Sequence, residues 1–519
     1  MKTVFGITLG PIYELMKSSQ KTRELWFSSY LFSWYSKMMI EALNSLGYTL
    51  TKPSAIKNFL DYKPQSKAGF FPDHLIGTAE GDAKEVYKKI KKIDEETLES
   101  FVGIIDGLVD GKKRNYLDGK QKKDVKSILD NYLLRNIITF NSDIENKIKI
   151  IQEVEKYLNS LEFNRSFIPG KCINTCKKCL KLPEVFQTDF ITGDEDKDHN
   201  VCPLCFLKLN ANKSSELKDI MDISPTQAFP SIEQILGLSD REIKDKRRIR
   251  RGYKYYLAVI KADGDNMGKK AEELNNPQKF SQMLFEFTKE VDKKVKSISG
   301  IEQGKKCEAI FIGGDEFLVF MPVAVKESNG GLYTVLDFVN NVKQDFQKCL
   351  PGCTISFGLN IAYYKYPLAF MLRDTEYQLD ECAKKEKDSI SIQLTQHSGQ
   401  KISIKFSFNE NSFSYFNELL KKSLLDSKSF PKAVHHKIIS FKKVFENITV
   451  KDRLEAFWYN RYIKSSSKSE LMMDVKQLLD SELGIKMDDK YVFYSDIGQN
   501  IINAASQIRF VKFLLGVEK

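Results

Sequence analysis

The chain has 519 residues, 42% of them hydrophobic and 29% charged, with a formal charge of +11. That length exceeds what one hydrophobic core usually organises, so several domains are expected, and the composition is that of a soluble globular protein rather than a disordered one. The positive excess favours polyanionic partners but is too dilute to demand nucleic acid. No uninterrupted apolar run approaches the roughly 18 residues of a membrane helix, and Pro11 and Glu14 interrupt the N-terminal run, so no signal peptide is read and a cytoplasmic protein is expected.

Residues 3–9 (TVFGITL) read as a strand, followed by Gly10-Pro11 and a helical pattern to about Leu46, the opening of an α/β unit. From about Asp82 to Leu161 apolar residues recur at helical spacing (Val86, Ile90, Ile93, Leu98), which predicts mainly helix. Around Pro169 this gives way to a cysteine-bearing module to about Asn212, a Ser- and Asp-rich linker, and the basic run 244–254 (KDKRRIRRGYK). That run reads first as a solvated linker and second as an RNA-backbone contact. Tyr253, Tyr255 and Tyr256 fit core positions at least as well as base-stacking ones.

Strands are then expected at 255–262, 307–312, 317–323, 353–363 and 389–394, with helices at about 277–297, 333–348 and 367–386. The order β-α-β-β-α-β is a ferredoxin-like split βαβ unit. Beyond about 405 the pattern is helical, with Leu419, Leu420, Leu424, Leu471, Val475, Leu478 and Leu479 on apolar faces. Phe457, Trp458 and Tyr459 suit core packing, or contacts to a neighbouring subunit if exposed.

In that topology the first strand, ending in Asp263 and Asp265, lies beside the hairpin that carries Asp315 and Glu316. Converging carboxylates repel unless a cation neutralises them, and hard oxygen donors select Mg²⁺ or Mn²⁺. Two such ions would activate an attacking 3′-hydroxyl and stabilise departing pyrophosphate. Gly313 and Gly314 allow a tight turn close to a triphosphate. GDNMGKK and GIEQGKK have three rather than four residues between their glycines and no Ser or Thr after the lysine, so neither is a Walker motif.

Cys176-x-x-Cys179 and Cys202-x-x-Cys205 have the doubled spacing of a tetrahedral structural Zn²⁺ site, with Cys172 and His199 as substitutes or spectators. Zinc would stabilise an insertion too small to bury its own core. Cys307, Cys349, Cys353 and Cys382 read as packed thiols.

The string GGDEF (313–317) resembles a diguanylate cyclase signature. Taken with GITLGPIYELMKSSQKTRELWFSSYLFS (6–33), the C-x-x-C pairs and ADGDNMGK, the chain is more similar to the large palm-domain subunit of type III CRISPR effector complexes, particularly the Cmr (III-B) branch. This resemblance implies an α+β fold with two ferredoxin-like palms. The expected domains are 1–165 (a first, non-catalytic palm with a helical insertion), 166–240 (zinc and linker module), 241–400 (a catalytic GGDEF-like palm) and 401–519 (C-terminal helices).

It further implies an RNA-activated nucleotidyltransferase that makes cyclic oligoadenylate from ATP, or joins AMP to S-adenosylmethionine. Other Cmr subunits, guide CRISPR RNA and target RNA are the implied partners. Carried over by position, Asp263, Asp315, Asp265 and Glu316 would act on the metal, Lys384 would contact the triphosphate, and Ser28, Ser29 and Tyr30 would lie near the nucleotide. No His-Asp dipeptide of an HD nuclease occurs, so DNA cleavage is not expected. The rival readings are a diguanylate-cyclase-like enzyme and a non-catalytic RNA-binding scaffold.

Overall fold

The computed structural model describes residues 2–54, 56–66, 68–110, 117–163, 174–186, 200–210, 229–244, 251–447, 451–463, 469–483 and 497–516. Cys172, His199 and residues 245–250 of the basic run lie outside that set.

The first strand, β1 (Lys2–Gly10), is buried along all but its first residue, as a central strand requires. It is flanked by β3 (His74–Glu80) and β4 (Leu134–Asn141), both antiparallel to it, and β2 (Thr49–Lys52) adds to β3. The sheet order is β2-β3-β1-β4. Helices Ala83–Asp110 and Lys147–Phe163 pack on the sheet, the second through a cluster of Val4, Ile76, Ile150, Val154 and Leu158.

The second sheet contains β5 (Tyr256–Asp265), β6 (Glu308–Gly313), β7 (Glu316–Pro322), β10 (Thr354–Tyr363), β11 (Ser389–Thr395) and β12 (Lys401–Ser407). A short hairpin of β8 (Ala324–Lys326) and β9 (Leu332–Thr334) follows β7. The six-stranded order is β12-β11-β10-β5-β7-β6. Leaving out the two strands appended at its edge, the spatial order is second-third-first-fourth in both sheets. That repeated order is the arrangement of the split βαβ unit.

By contacts the chain divides into two compact units. One takes Met1–Ser231, Asn266–Lys293 and Ala309–Phe317; the other takes Ile232–Asp265, Lys294–Glu308 and Leu318–Lys519. In the second, helices Ser412–Leu425, Ser469–Glu482 and Ile497–Leu514 bury the leucines expected of amphipathic faces. Trp458 is buried, Tyr459 is exposed, and Tyr255 and Tyr256 are buried. No helix among the described residues is long and apolar enough to cross a membrane.

The five strands expected around the acidic motifs all form, within one to three residues of their expected ends. Among the described residues six other strands were not expected, the short hairpin β8–β9 and β2, β3, β4 and β12. β4 (LRNIITFN) is half-buried along nearly its whole length and shows no clean alternation, so the helical periods flanking it hide it. β2 is only four residues long, and β3 contains Gly77, which the strand needs because a Cβ there would lie 2.6 Å from the Thr49 carbonyl oxygen. β12 does alternate, with Ile402, Ile404 and Phe406 inward, and corrects the expectation that the sheet ends near 394.

Candidate active site

Asp263 and Asp265 stand two residues apart on β5, on one face of the sheet. Their environments differ. The Asp265 side chain has no exposure. It accepts from Thr354 Oγ1 at 2.9 Å, from Ser356 Oγ at 2.9 and 3.0 Å and from the Asp388 amide at 3.0 Å, with Lys384 Nζ at 3.3 Å. Antiparallel pairing supplies two of these donors, since Thr354 and Ser356 face Asp265 and Asp263 across the ladder. A carboxylate so fully solvated by protein needs no water.

The Asp263 side chain is 39% exposed and meets Lys384 Nζ at 2.6 Å. Lys384 also donates to the Gly264 carbonyl at 2.6 Å. It follows a π-helical stretch, Gln378–Ala383, that interrupts the helix beginning at Leu368. Such bulges shift the side chains beyond them by part of a turn. The helix lies directly on β10 at Gly358, where a Cβ would come within 2.5 Å of the Leu379 nitrogen and the Thr375 oxygen. Lys387 and Asp388 then take positive φ in the turn into β11, which brings the Asp388 amide onto Asp265. Burial raises the Asp388 carboxyl above its ordinary range, and Lys343 at 3.8 Å only partly offsets this.

Gly313, Gly314, Asp315 and Glu316 make the tight connection between β6 and β7. Gly314 has φ +64°, a backbone that favours glycine. A Cβ at Gly313 would meet no protein atom within 4 Å, so the protein itself does not require glycine there. Thr288, on helix Pro277–Ile298, holds the turn by donating to the Gly314 carbonyl at 3.2 Å. Glu316 accepts from the Tyr13 hydroxyl. Tyr13 gave no signal in the sequence.

Of the first-palm residues, Ser28 is fully buried with its hydroxyl on the Glu24 carbonyl at 2.6 Å, an interior position. Ser29 is 6% exposed, and Tyr30 packs against Trp26 with ring centroids 5.2 Å apart.

The four sulfur atoms of Cys176, Cys179, Cys202 and Cys205 lie within 4.8 Å of one another, Cys179 and Cys202 being 3.9 Å apart. Tetrahedral Zn–S bonds of about 2.3 Å separate sulfurs by about 3.8 Å, so this set fits a metal ion. Burial drives the Cys202 thiol well above its ordinary value, and a bound cation would favour the thiolate. Lys178 and Lys208 anchor the module. Lys178 pairs with the buried Glu24 at 2.9 Å, and Lys208 reaches Ser18 Oγ at 2.9 Å and Ser19 Oγ at 3.1 Å.

Residues 256–391 match the family model described as Cas10/Cmr2, second palm domain, and residues 4–106 match CRISPR-associated protein Cmr2, N-terminal. In these two regions the chain is similar to the Cas10/Cmr2 family. A relative is the CRISPR system Cmr subunit Cmr2 of Pyrococcus furiosus, 24% identical over 251 residues. That match takes in 41% of this chain but spans only 27% of the relative. Among solved structures, a type III-B Cmr-beta complex bound to cognate target RNA contains a chain similar in fold, with TM-score 0.63, 13% identity and coverage of 100% of this chain and 83% of that one. A Csm1–Csm4 cassette in complex with cA3 gives TM-score 0.53 at 12% identity, covering 100% and 70%. These likenesses bear out the resemblance read from the motifs and establish the mixed α/β palm fold.

Proposed function

We propose that this chain is the large subunit of a type III-B CRISPR effector, assembled with other Cmr subunits and guide RNA. On binding target RNA it uses ATP and Mg²⁺ to make a nucleotide second messenger, either cyclic oligoadenylate or AMP conjugated to S-adenosylmethionine. The observation that carries this reading is Asp263, a half-exposed carboxylate at a palm strand end with a lysine 2.6 Å away.

In this reading Asp263, Asp315 and Glu316 hold the divalent ions. When bound, these ions supply Lewis-acid activation of a hydroxyl and neutralise charge on the α-phosphate. Asp265, expected from sequence as a ligand, has its oxygens taken up by protein donors, so its part is to hold Lys384 and the strand end. Lys384 neutralises the triphosphate, and Gly313 leaves space for it to approach. Tyr30 remains a candidate nucleotide contact and Ser29 a weaker one, whereas Ser28 is committed to its helix. The four cysteines hold a structural Zn²⁺; metal analysis should give one zinc per chain, lost in Cys176→Ser/Cys202→Ser.

The test is mass spectrometry of products from the assembled complex with labelled ATP, Mg²⁺ and target RNA, with and without S-adenosylmethionine. An adenylate ring or an AMP conjugate supports the proposal. Product from GTP alone would favour a diguanylate-cyclase-like enzyme, and no product under any RNA or nucleotide condition would leave the scaffold reading.

A further inference from the structure

Helix Val434–Ser440, the C-terminal helix Ile497–Leu514 and Gln396, just beyond β11, enclose a cavity of about 330 Å³. Its polar lining is one-sided. His435 and His436 come from the first helix and Arg509 and Lys512 from the second, and among the described lining residues there is no carboxylate. His435 is 3% exposed, with an Nδ1 that lacks a hydrogen-bond partner. The two imidazole rings lie with centroids 3.9 Å apart, and Phe513 and Ile439 supply an apolar wall.

Positive groups gathered without a counter-charge are unfavourable, and the cost is visible in the cluster. Burial, and then the charges of His436, Lys512 and Arg509, push the His435 imidazole down to about 4. An anion would relieve this. A guanidinium fork, an ammonium and imidazole N–H groups are the donors that recognise phosphate. The cavity also exceeds a single water, which takes about 30 Å³ of liquid volume.

We propose that this cavity is a phosphoryl-binding site in the C-terminal helical region, separate from the palm carboxylates. One chemistry covers two sources, the backbone phosphate of single-stranded RNA and the phosphates of a free nucleotide. The site does not depend on the second palm being active.

The test uses the full chain and measures binding rather than turnover. A fluorescently labelled single-stranded RNA is titrated by anisotropy at several salt concentrations, and pyrophosphate is titrated by calorimetry. The variants are Arg509→Glu/Lys512→Glu and the milder Arg509→Gln/Lys512→Gln, each checked by thermal melting. The control is Lys437→Glu/Lys443→Glu, exposed lysines outside the cavity lining. The expected result is at least a tenfold loss of RNA affinity in the folded cavity variants, with the salt slope falling by about one to two, and little change in the control. Unchanged RNA binding with lost pyrophosphate binding also supports the site and assigns it to free nucleotide. Unchanged binding of both ligands, or an equal loss of RNA affinity in the control, overturns it.

Discussion

The two sheets share a strand order and differ in what they do with charge at the ends of their first strands. Matched by ladder register, β1 Thr8 faces the third residue of β4 as Asp263 faces the third residue of β10, and Gly10 stands where Asp265 does. Thr8 is buried and donates to Glu162. Next to it, Arg135 at the start of β4 forms a closed ion pair with Asp94 at 2.7 Å, their side chains 5% and 1% exposed. The Tyr35 hydroxyl at 2.8 Å and Lys91 at 2.9 Å join Asp94, and Asp130 takes the other arm of the Arg135 guanidinium. In the second sheet the polar end stays partly open at Asp263. One sheet neutralises its charges internally and the other keeps an acidic group within reach of solvent. The same topology therefore serves packing in one half and, in our reading, chemistry in the other.

This contrast is sharpest under substitution. Asp263→Asn should abolish product, by at least about a thousandfold if the ion it holds supplies several kcal/mol to the transition state, while melting within a few degrees of wild type. Asp94→Ala should do the opposite. Arg135 would keep only the exposed Asp130 as a partner, and loss of the buried one should cost up to about 3–5 kcal/mol, seen in chemical denaturation, with product per folded molecule little changed. If both variants lose stability and neither loses product selectively, the division of labour between the sheets is wrong.

Glycine positions give a smaller and finer comparison. Gly358→Ala puts a Cβ 2.5 Å from backbone atoms, which cannot yield without moving the helix that leads to Lys384, and should cost about 1–3 kcal/mol. Gly6→Ala in β1 meets only side-chain atoms, a Val154 methyl first at 2.3 Å, and should cost less than a clash with fixed backbone. Equal losses in thermal melts would contradict the role given to the close helix on β10.

The smallest effect is one of pH. Because burial raises the Asp388 carboxyl, the folded state binds that proton more tightly than the unfolded chain. Its contribution is fully present below the ordinary carboxylate value and is lost as pH rises through the raised one. Asp388→Asn should flatten the stability profile from the ordinary carboxylate value upward, read by chemical denaturation at a series of pH values.

The second palm was legible because β-branched and aromatic strands are bounded by acidic or glycine-rich turns, two signals that agree. The first was not, beyond β1. Its second and third strands are joined by residues 53–73 instead of a two-residue turn, and nothing in the composition of that stretch announces a partner. In the structure Phe59 and Phe70 pack on Phe285, and Tyr62, Gln65 and Ser66 all donate to Asp292. Those are long-range contacts with no local pattern. Of the expected site residues the sequence shows types and not surroundings, since the hydrogen bonds that fill Asp265 and the partial exposure of Asp263 beside Lys384 come from the ladder and the turn into β11. Cys176, Cys179, Cys202 and Cys205 were the plainest signal, because their doubled spacing is written into the chain and the fold brings the four sulfurs together.

The most direct test of the central claim is Mn²⁺ binding followed by electron paramagnetic resonance in the presence of ATP, comparing wild type with Asp263→Asn and Asp94→Asn at a temperature where all three are folded. The account predicts tight Mn²⁺ binding in wild type and Asp94→Asn and its loss in Asp263→Asn; undiminished binding in Asp263→Asn would contradict it.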